Sequence, residues 1–196
     1  SAMSRKLDAL RVVESGMGEL SLSSISESLD NFYASLSNLS LRPQDVNYQT
    51  SVAASAETLT SQLRNLASIV HSLQDSLYTE AHEVVDKVNQ LAVQVAKMNQ
   101  EIFSFQVQGQ ECGNLMDQRD LLIGQMGEYI DIRTVQRDCG VVDVAVADIP
   151  IVIGSNVCAI RLGLTEEGGQ TKLGIAAEGT EQLETGLQNG TLGAIC

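Results

Sequence analysis

Residues 44–108 read QDVNYQTSVAASAETLTSQLRNLASIVHSLQDSLYTEAHEVVDKVNQLAVQVAKMNQEIFSFQVQ, with no Gly and no Pro. Apolar residues recur at Val52, Ala56, Leu59, Leu63, Leu66, Val70, Leu73, Leu77, Ala81, Val84, Val88, Leu91, Val95, Met98, Ile102 and Phe105. The steps alternate four and three, the spacing of a heptad seam along one helix face. Two consecutive fours around Leu77 form a stutter, which locally unwinds a supercoil. The pattern predicts one helix over about 45–108, and about sixty helical residues would make a rod of roughly 90 Å. A single helix cannot bury its own seam. It needs a second helix, a third, or another subunit to cover Leu59, Leu63, Leu66, Leu73, Leu77, Val84, Val88, Leu91, Val95, Met98 and Ile102.

The flanks of this seam are unusual. Residues 44–108 hold 24 Ser, Thr, Asn and Gln against 10 charged residues. A solvated coiled coil ordinarily carries Glu and Lys there. Neutral amides and hydroxyls suit a surface that packs beside neighbours and hydrogen-bonds without burying unpaired charge.

N-terminal to this stretch, Leu22, Ile25, Leu29, Phe32, Tyr33, Leu36 and Leu39 mark a helix over about 22–40, closed by Pro43. Leu7, Leu10 and Val13 suggest a short helix over 4–14, broken by Ser15-Gly16-Met17-Gly18. C-terminal to it, Gly109 ends the run. A third helix is expected over about 114–127, with Asn114 as N-cap and Leu115, Met116, Leu122, Ile123 and Met126 inward.

The period then changes to two. Ile130 and Ile132, then Val142, Val144 and Val146, then Ile149, Ile151 and Ile153 around Pro150 read as strands, followed by Val157–Leu162 and Thr171–Ile175. Asp138-Cys139-Gly140, Gly154-Ser155-Asn156 and Gly168-Gly169 read as turns. Helices followed by strands define the α+β class. The expected organisation is a long antiparallel helical bundle, or coiled-coil-like rod, over 1–128. A small antiparallel β unit over 129–196 follows, truncated at its C-terminal side.

Composition narrows the function. The net charge of −13 lacks the basic footprint of a nucleic-acid binder and disfavours docking on anionic lipid. No stretch is apolar enough for a membrane span, and Ser1 to Leu20 has no apolar core of a secretory signal. Ser1-Ala2-Met3 reads as a tag remnant ahead of an internal fragment. Aromatic residues make up 4%, with no Trp, which disfavours a deep aromatic-lined pocket. The four cysteines, Cys112, Cys139, Cys158 and Cys196, lie too far apart for zinc-binding spacing.

Catalytic patterns are equally sparse. His71 and His82 share a helix face but stand about 16 Å apart along the axis, so they cannot hold one metal. His82 and Asp86 could chelate at i, i+4 as in a zinc hydrolase, but no third ligand is evident. There is no phosphate-binding glycine loop and no nucleophile elbow. Asp117-Gln118-Arg119-Asp120 sits early on a helix, where its acids suit the positive end of the dipole. No catalytic, cofactor-binding or metal residue is assigned.

Several ordered blocks nevertheless carry a resemblance. They are Leu29–Leu39 (LDNFYASLSNL), Ser55–Leu59 (SAETL), Leu91–Ile102 (LAVQVAKMNQEI), Leu115–Leu122 (LMDQRDLL) and Asn189–Ile195 (NGTLGAI). Together they resemble the bacterial flagellar hook-associated protein 1 family, FlgK, the junction proteins between hook and filament. In that resemblance Asp117, Gln118, Arg119, Asp120, Gly190, Leu192 and Gly193 form the family motif. It implies a structural, extracellular flagellar protein with no enzymatic activity and no cofactor. Export would run through the flagellar type III apparatus, which needs no cleaved signal. Implied partners are other copies of itself, in a ring of about eleven subunits when full length, the hook protein and the second hook–filament junction protein. An export chaperone would engage only the C-terminal segment, which this chain lacks. The family's terminal segments, which pair in the core of the axial tube, are also missing, and four cysteines are unusual for an external protein. The alternative is a generic coiled-coil adaptor with no flagellar role.

Overall fold

The computed structural model describes residues 22–187 and 190–195. The helix expected over 4–14, its break at 15–18, Asn189 of the closing block and Cys196 lie outside the described residues. The helices are α1 (Leu22–Leu41), α2 (Val46–Val107), α3 (Gly113–Tyr129) and the short α4 (Leu192–Ile195). The strands are β1 (Ile132–Gln136), β2 (Val142–Val146), β3 (Ile149–Ile153), β4 (Asn156–Val157), β5 (Ile160–Glu167) and β6 (Gln170–Ala177). The fold is α+β, a long helix with small antiparallel sheets.

Both ends of α2 carry local stop signals. Asp45 Oδ1 accepts a hydrogen bond from the Asn47 N–H at 2.9 Å, satisfying one of the orphan donors of the first turn. At the other end Gly109 takes φ +70°. Its N–H bonds Gln106 O at 3.0 Å, and the Gln110 N–H bonds Phe105 O at 2.9 Å, the paired bonds of a Schellman cap. Helix α3 begins one residue earlier than expected. Cys112 takes the N-cap place without a side-chain bond. Asn114 instead lies inside the first turn, where its Oδ1 faces Gln118 Nε2 at 3.5 Å.

The chain forms two compact units, and the division falls inside α2, between Ser76 and Leu77. In the first unit the turn at Arg42–Asp45 reverses the chain, and Ser35 Oγ meets Ser55 Oγ at 2.8 Å. Among the described residues here, the buried side chains are Ser28 and Ser35. The apolar side chains are only half-buried or exposed. Leu63, for instance, is 49% exposed and Val70 45%.

The second unit has the dense core. Ala81, Val84, Val85, Val88, Leu91, Ala92, Val95, Ala96, Asn99 and Ile102 are buried on α2. Apart from Asn99 and Ile102, they pack in one cluster with Met126 and Ile130 at the end of α3 and with Val144, Val146, Ile151, Ile160 and Ile175 of the strands. This face is wider than a heptad seam, because Val85, Ala92 and Ala96 join it. A two-helix seam needs only a narrow stripe, whereas a helix facing a globular core buries a broader one.

Strands β1 to β4 form an antiparallel meander in sequence order, and β5 and β6 form a separate hairpin. The β5–β6 turn is Gly168-Gly169, with φ +62° and +78°. In β3 the expected alternation of Ile149, Ile151 and Ile153 fails. The register shifts, so that Ala145 pairs with Pro150 and Val144 with Val152. Pro150 has no N–H for the ladder, and a bulge accommodates it. Ile151 and Val152 are therefore both buried, and Ile153 turns outward at 52% exposure. Across β5 and β6, Gly163 faces Gly174. The gap they leave admits Leu183, whose Cδ2 would stand 2.7 Å from a Cβ at 163. Leu183 is held there because Glu184 exchanges two backbone bonds with Ile175, at 2.7 and 3.0 Å.

The two-residue β2–β3 turn is Ala147-Asp148, with φ +45° and +66°. Two left-handed residues in a hairpin loop favour Asn-Gly, and Ala at such a position costs about 1 kcal/mol. The double variant Ala147→Asn, Asp148→Gly should raise unfolding free energy by about 1 kcal/mol. The exposed Arg133–Asp148 pair that it removes contributes little. Urea titration followed by circular dichroism measures the change.

Candidate functional site

The most specific chemistry in the chain is spent on holding its β elements to α2. Asn99 is 1% exposed. Its Oδ1 accepts from the Val142 N–H at 3.2 Å, and its Nδ2 donates to Val142 O at 2.8 Å and Gly154 O at 2.7 Å. Asn89, half-buried, repeats the device. Its Oδ1 accepts from the Ile160 N–H at 2.9 Å, and its Nδ2 donates to Ile160 O at 2.8 Å. Each carboxamide thus pairs with both backbone groups of one residue, as a neighbouring strand would. Val142 opens β2 and Ile160 opens β5, so the start of each is tied directly to the helix.

Asp143 extends the first clamp. Its Oδ1 accepts from the Gly154 N–H at 2.8 Å, and its Oδ2 accepts from Arg137 Nε at 2.7 Å. An open groove of about 490 Å³ runs beside it, walled by Phe103, Val141 and Ile153 and edged by Arg137 and Ser155.

The family-motif residues separate by role. Asp117, Gln118 and Asp120 are exposed, whereas Arg119 is 3% exposed. Its Nη1 donates to Gly140 O, while Nε and Nη2 reach Asp120 Oδ1 at 3.0 and 2.8 Å. The buried guanidinium ties α3 to the β1–β2 connection. Gly140, at φ +71°, leaves no room for a Cβ against Met116. At the C-terminal block, Gly190 takes φ +78°, and a Cβ there would lie 2.6 Å from Tyr129 O and Ile130 N. Next to it, Thr191 Oγ1 donates to Glu128 O at 3.3 Å and Leu192 is fully buried. Gly193 is half-buried. The block closes onto the end of α3.

The seam residues also separate. Val84, Val88, Leu91, Val95 and Ile102 are buried, Met98 is half-buried, and its neighbour Asn99 occupies the inward position instead. Leu59, Leu66, Leu73 and Leu77 are half-buried and Leu63 is exposed. His82 and Asp86 are exposed, and the His82 ring meets Tyr78 edge-on at 4.8 Å. Cys112 is buried, Cys158 half-buried and Cys139 exposed, all as free thiols. Among the described residues, no group of three His, Cys, Asp or Glu side chains is placed to hold a metal, and no helix is long and apolar enough to cross a membrane. Sequence reading missed Asn89 and Asn99 as individuals. The excess of neutral amides beside the seam was their signal.

A long helix that carries a small β unit on amide side chains defines an α+β scaffold domain. The chain belongs to the family described as the flagellar hook-associated protein FlgK helical domain, which it matches over residues 10–196. It is 27% identical to flagellar hook-associated protein 1 of Bacillus subtilis (strain 168) over 128 residues, 65% of this chain and 25% of that protein. With flagellar hook-associated protein 1 of Salmonella typhimurium it shares 22% identity over 180 residues, 88% of this chain and 32% of that one. In fold it is similar to the flagellar hook junction protein FlgK from Burkholderia pseudomallei, with a TM-score of 0.72 and 20% identity. That likeness covers all of this chain and 37% of the other. The chain therefore spans about a quarter to a third of the curated relatives it matches.

Two variants test the holding residues. Asn99→Ala leaves the buried N–H and carbonyl of Val142 and the half-buried carbonyl of Gly154 without their amide partner and should cost about 2–4 kcal/mol, against less than about 0.5 kcal/mol for the exposed neighbour Gln100→Ala. Gly190→Ala meets backbone atoms at a left-handed φ and should cost about 2 kcal/mol or more. Urea midpoints measure both.

Proposed function

We propose that this chain is part of a structural protein of the bacterial flagellum that joins the hook to the filament and is needed for filament assembly. The observation that carries the proposal is the family match over nearly the whole chain. The fold neighbour, described as a hook junction protein, supports it. The same match favours this reading over an adaptor with no flagellar role.

In this reading the protein is extracellular, exported by the flagellar type III system, and works without catalysis or a cofactor. The full-length protein packs as a ring of about eleven copies, with the hook protein on one side and the second hook–filament junction protein on the other. Its chaperone binds outside this domain. The half-exposed seam at Leu59, Leu63, Leu66, Leu73 and Leu77 supports such packing. Its neutral flanks let other helices approach without burying unpaired charge.

Deleting the gene for the full-length protein should leave hooks without filaments and release flagellin into the medium. Electron microscopy of the deletion strain decides this, and filaments of normal length would overturn the proposal.

A further inference from the structure

Strand β1 is an edge. The meander runs β1-β2-β3-β4, so β1 pairs with β2 alone. In an antiparallel ladder, alternate residues turn both backbone groups toward the partner strand or both away from it. The Arg137 N–H bonds Val141 O at 2.8 Å, which fixes the phase. Arg133 and Val135 therefore point their groups at β2, and Ile132, Thr134 and Gln136 point theirs away. Val142 agrees. It pairs with Gln136, and it too turns its groups out of the β1–β2 ladder, onto Asn99. Among the described residues, nothing bonds the outward groups of Ile132, Thr134 and Gln136.

Proteins guard such edges with lysine, proline, a bulge or shortness. On the far side of this sheet, β4 is two residues long. The free edge of the hairpin, β5, carries Gly163 and ends in Glu166-Glu167. By contrast β1 reads Ile132-Arg133-Thr134-Val135-Gln136, without lysine, proline or glycine, and pairs with β2 in unbroken register. Three of its five residues are β-branched. Its last four side chains are exposed, Val135 to 51%.

A second copy of the same strand fits this edge. Laid antiparallel and centred on Thr134, two copies set Ile132 opposite Gln136 and Thr134 opposite Thr134. The outward groups then meet in three pairs, each exchanging two bonds. The side chains suit the same register. Arg133 falls opposite Val135 of the second copy, so like charges do not face each other, and the two threonines pair across the strands. One residue beyond each end, Asp131 comes opposite Arg137, and both are exposed. Arg137 spends only Nε on Asp143, which leaves its terminal nitrogens for another carboxylate.

We infer that β1 is a self-docking edge, on which a second copy of this chain pairs antiparallel about Thr134. Such a contact is two-fold and isologous, whereas the contacts of a ring repeat head to tail. It belongs to the chain outside the ring and does not depend on the assembly reading.

Sedimentation equilibrium of the whole chain tests it. The average mass should rise toward that of a dimer between about 10 μM and about 1 mM. Thr134→Pro removes the central outward N–H but no bond to β2, and should weaken association about tenfold or more. Thr134→Cys, treated with oxidised glutathione, should yield a dimer linked through residue 134, seen by peptide mapping. Facing residues of such a pair have Cα atoms about 5.5 Å apart, within reach of a disulfide. A chain that stays monomeric at about 1 mM would overturn the inference. So would association that Thr134→Pro leaves unchanged, or the absence of a 134–134 link.

Discussion

A strand that begins against a helix has a backbone problem, because its first N–H and C=O have no neighbouring strand to meet. Burying such groups unpaired costs about 1–3 kcal/mol each. Asn99 and Asn89 solve this twice on one helix face, each offering one carbonyl and one amino group to a single residue. The clamps are also directional. Apolar packing along Val84, Val88, Leu91 and Val95 would tolerate a sliding sheet, since burial is proportional to area and not to position. Two bidentate amides do not tolerate it. The core supplies the attraction and the amides fix where the β elements stop.

Arg119 plays a related part from the other side. Its charge is buried, so it needs strong partners, and it finds the carboxylate of Asp120 and the Gly140 carbonyl. The Gly140 carbonyl belongs to the connection that precedes Val142. Helices α2 and α3 therefore hold the two ends of the same short stretch, Gly140 and Val142. The LMDQRDLL block is in this sense a fastening, with its exposed acids on the outside and its single inward guanidinium on the joint.

The fold class was legible because its signals are local. A run between Pro43 and Gly109 free of helix breakers, and a change of period from helical to alternating after Ile130, are properties of neighbouring residues. The bulge at Pro150 was not read, although the proline was visible. Its effect depends on which strand lies opposite, and that turned Ile153 outward and Val152 inward. Strands β5 and β6 extend beyond their apolar cores through Thr165, Glu166 and Lys172, where the hairpin is polar and alternation gives no sign. Asn89 and Asn99 were hidden for a different reason. Their partners lie 71 and 43 residues away, and a count of amides cannot tell one that faces solvent from one that faces a peptide group.

Gly163, Gly174 and Leu183 share one volume, although they come from three segments. Neither glycine is in a left-handed conformation, so backbone geometry does not require it. What requires it is the isobutyl group that fills the gap, and the Glu184 carbonyl 3.0 Å from where a Cβ of Gly174 would stand. The three positions should therefore vary as a set among related chains. A side chain appearing at 163 calls for a smaller residue at 183, and an insertion between Ala177 and Leu183 that pulls the leucine out leaves a dent in the hairpin face. The size of residue 183 is in effect written at 163 and 174.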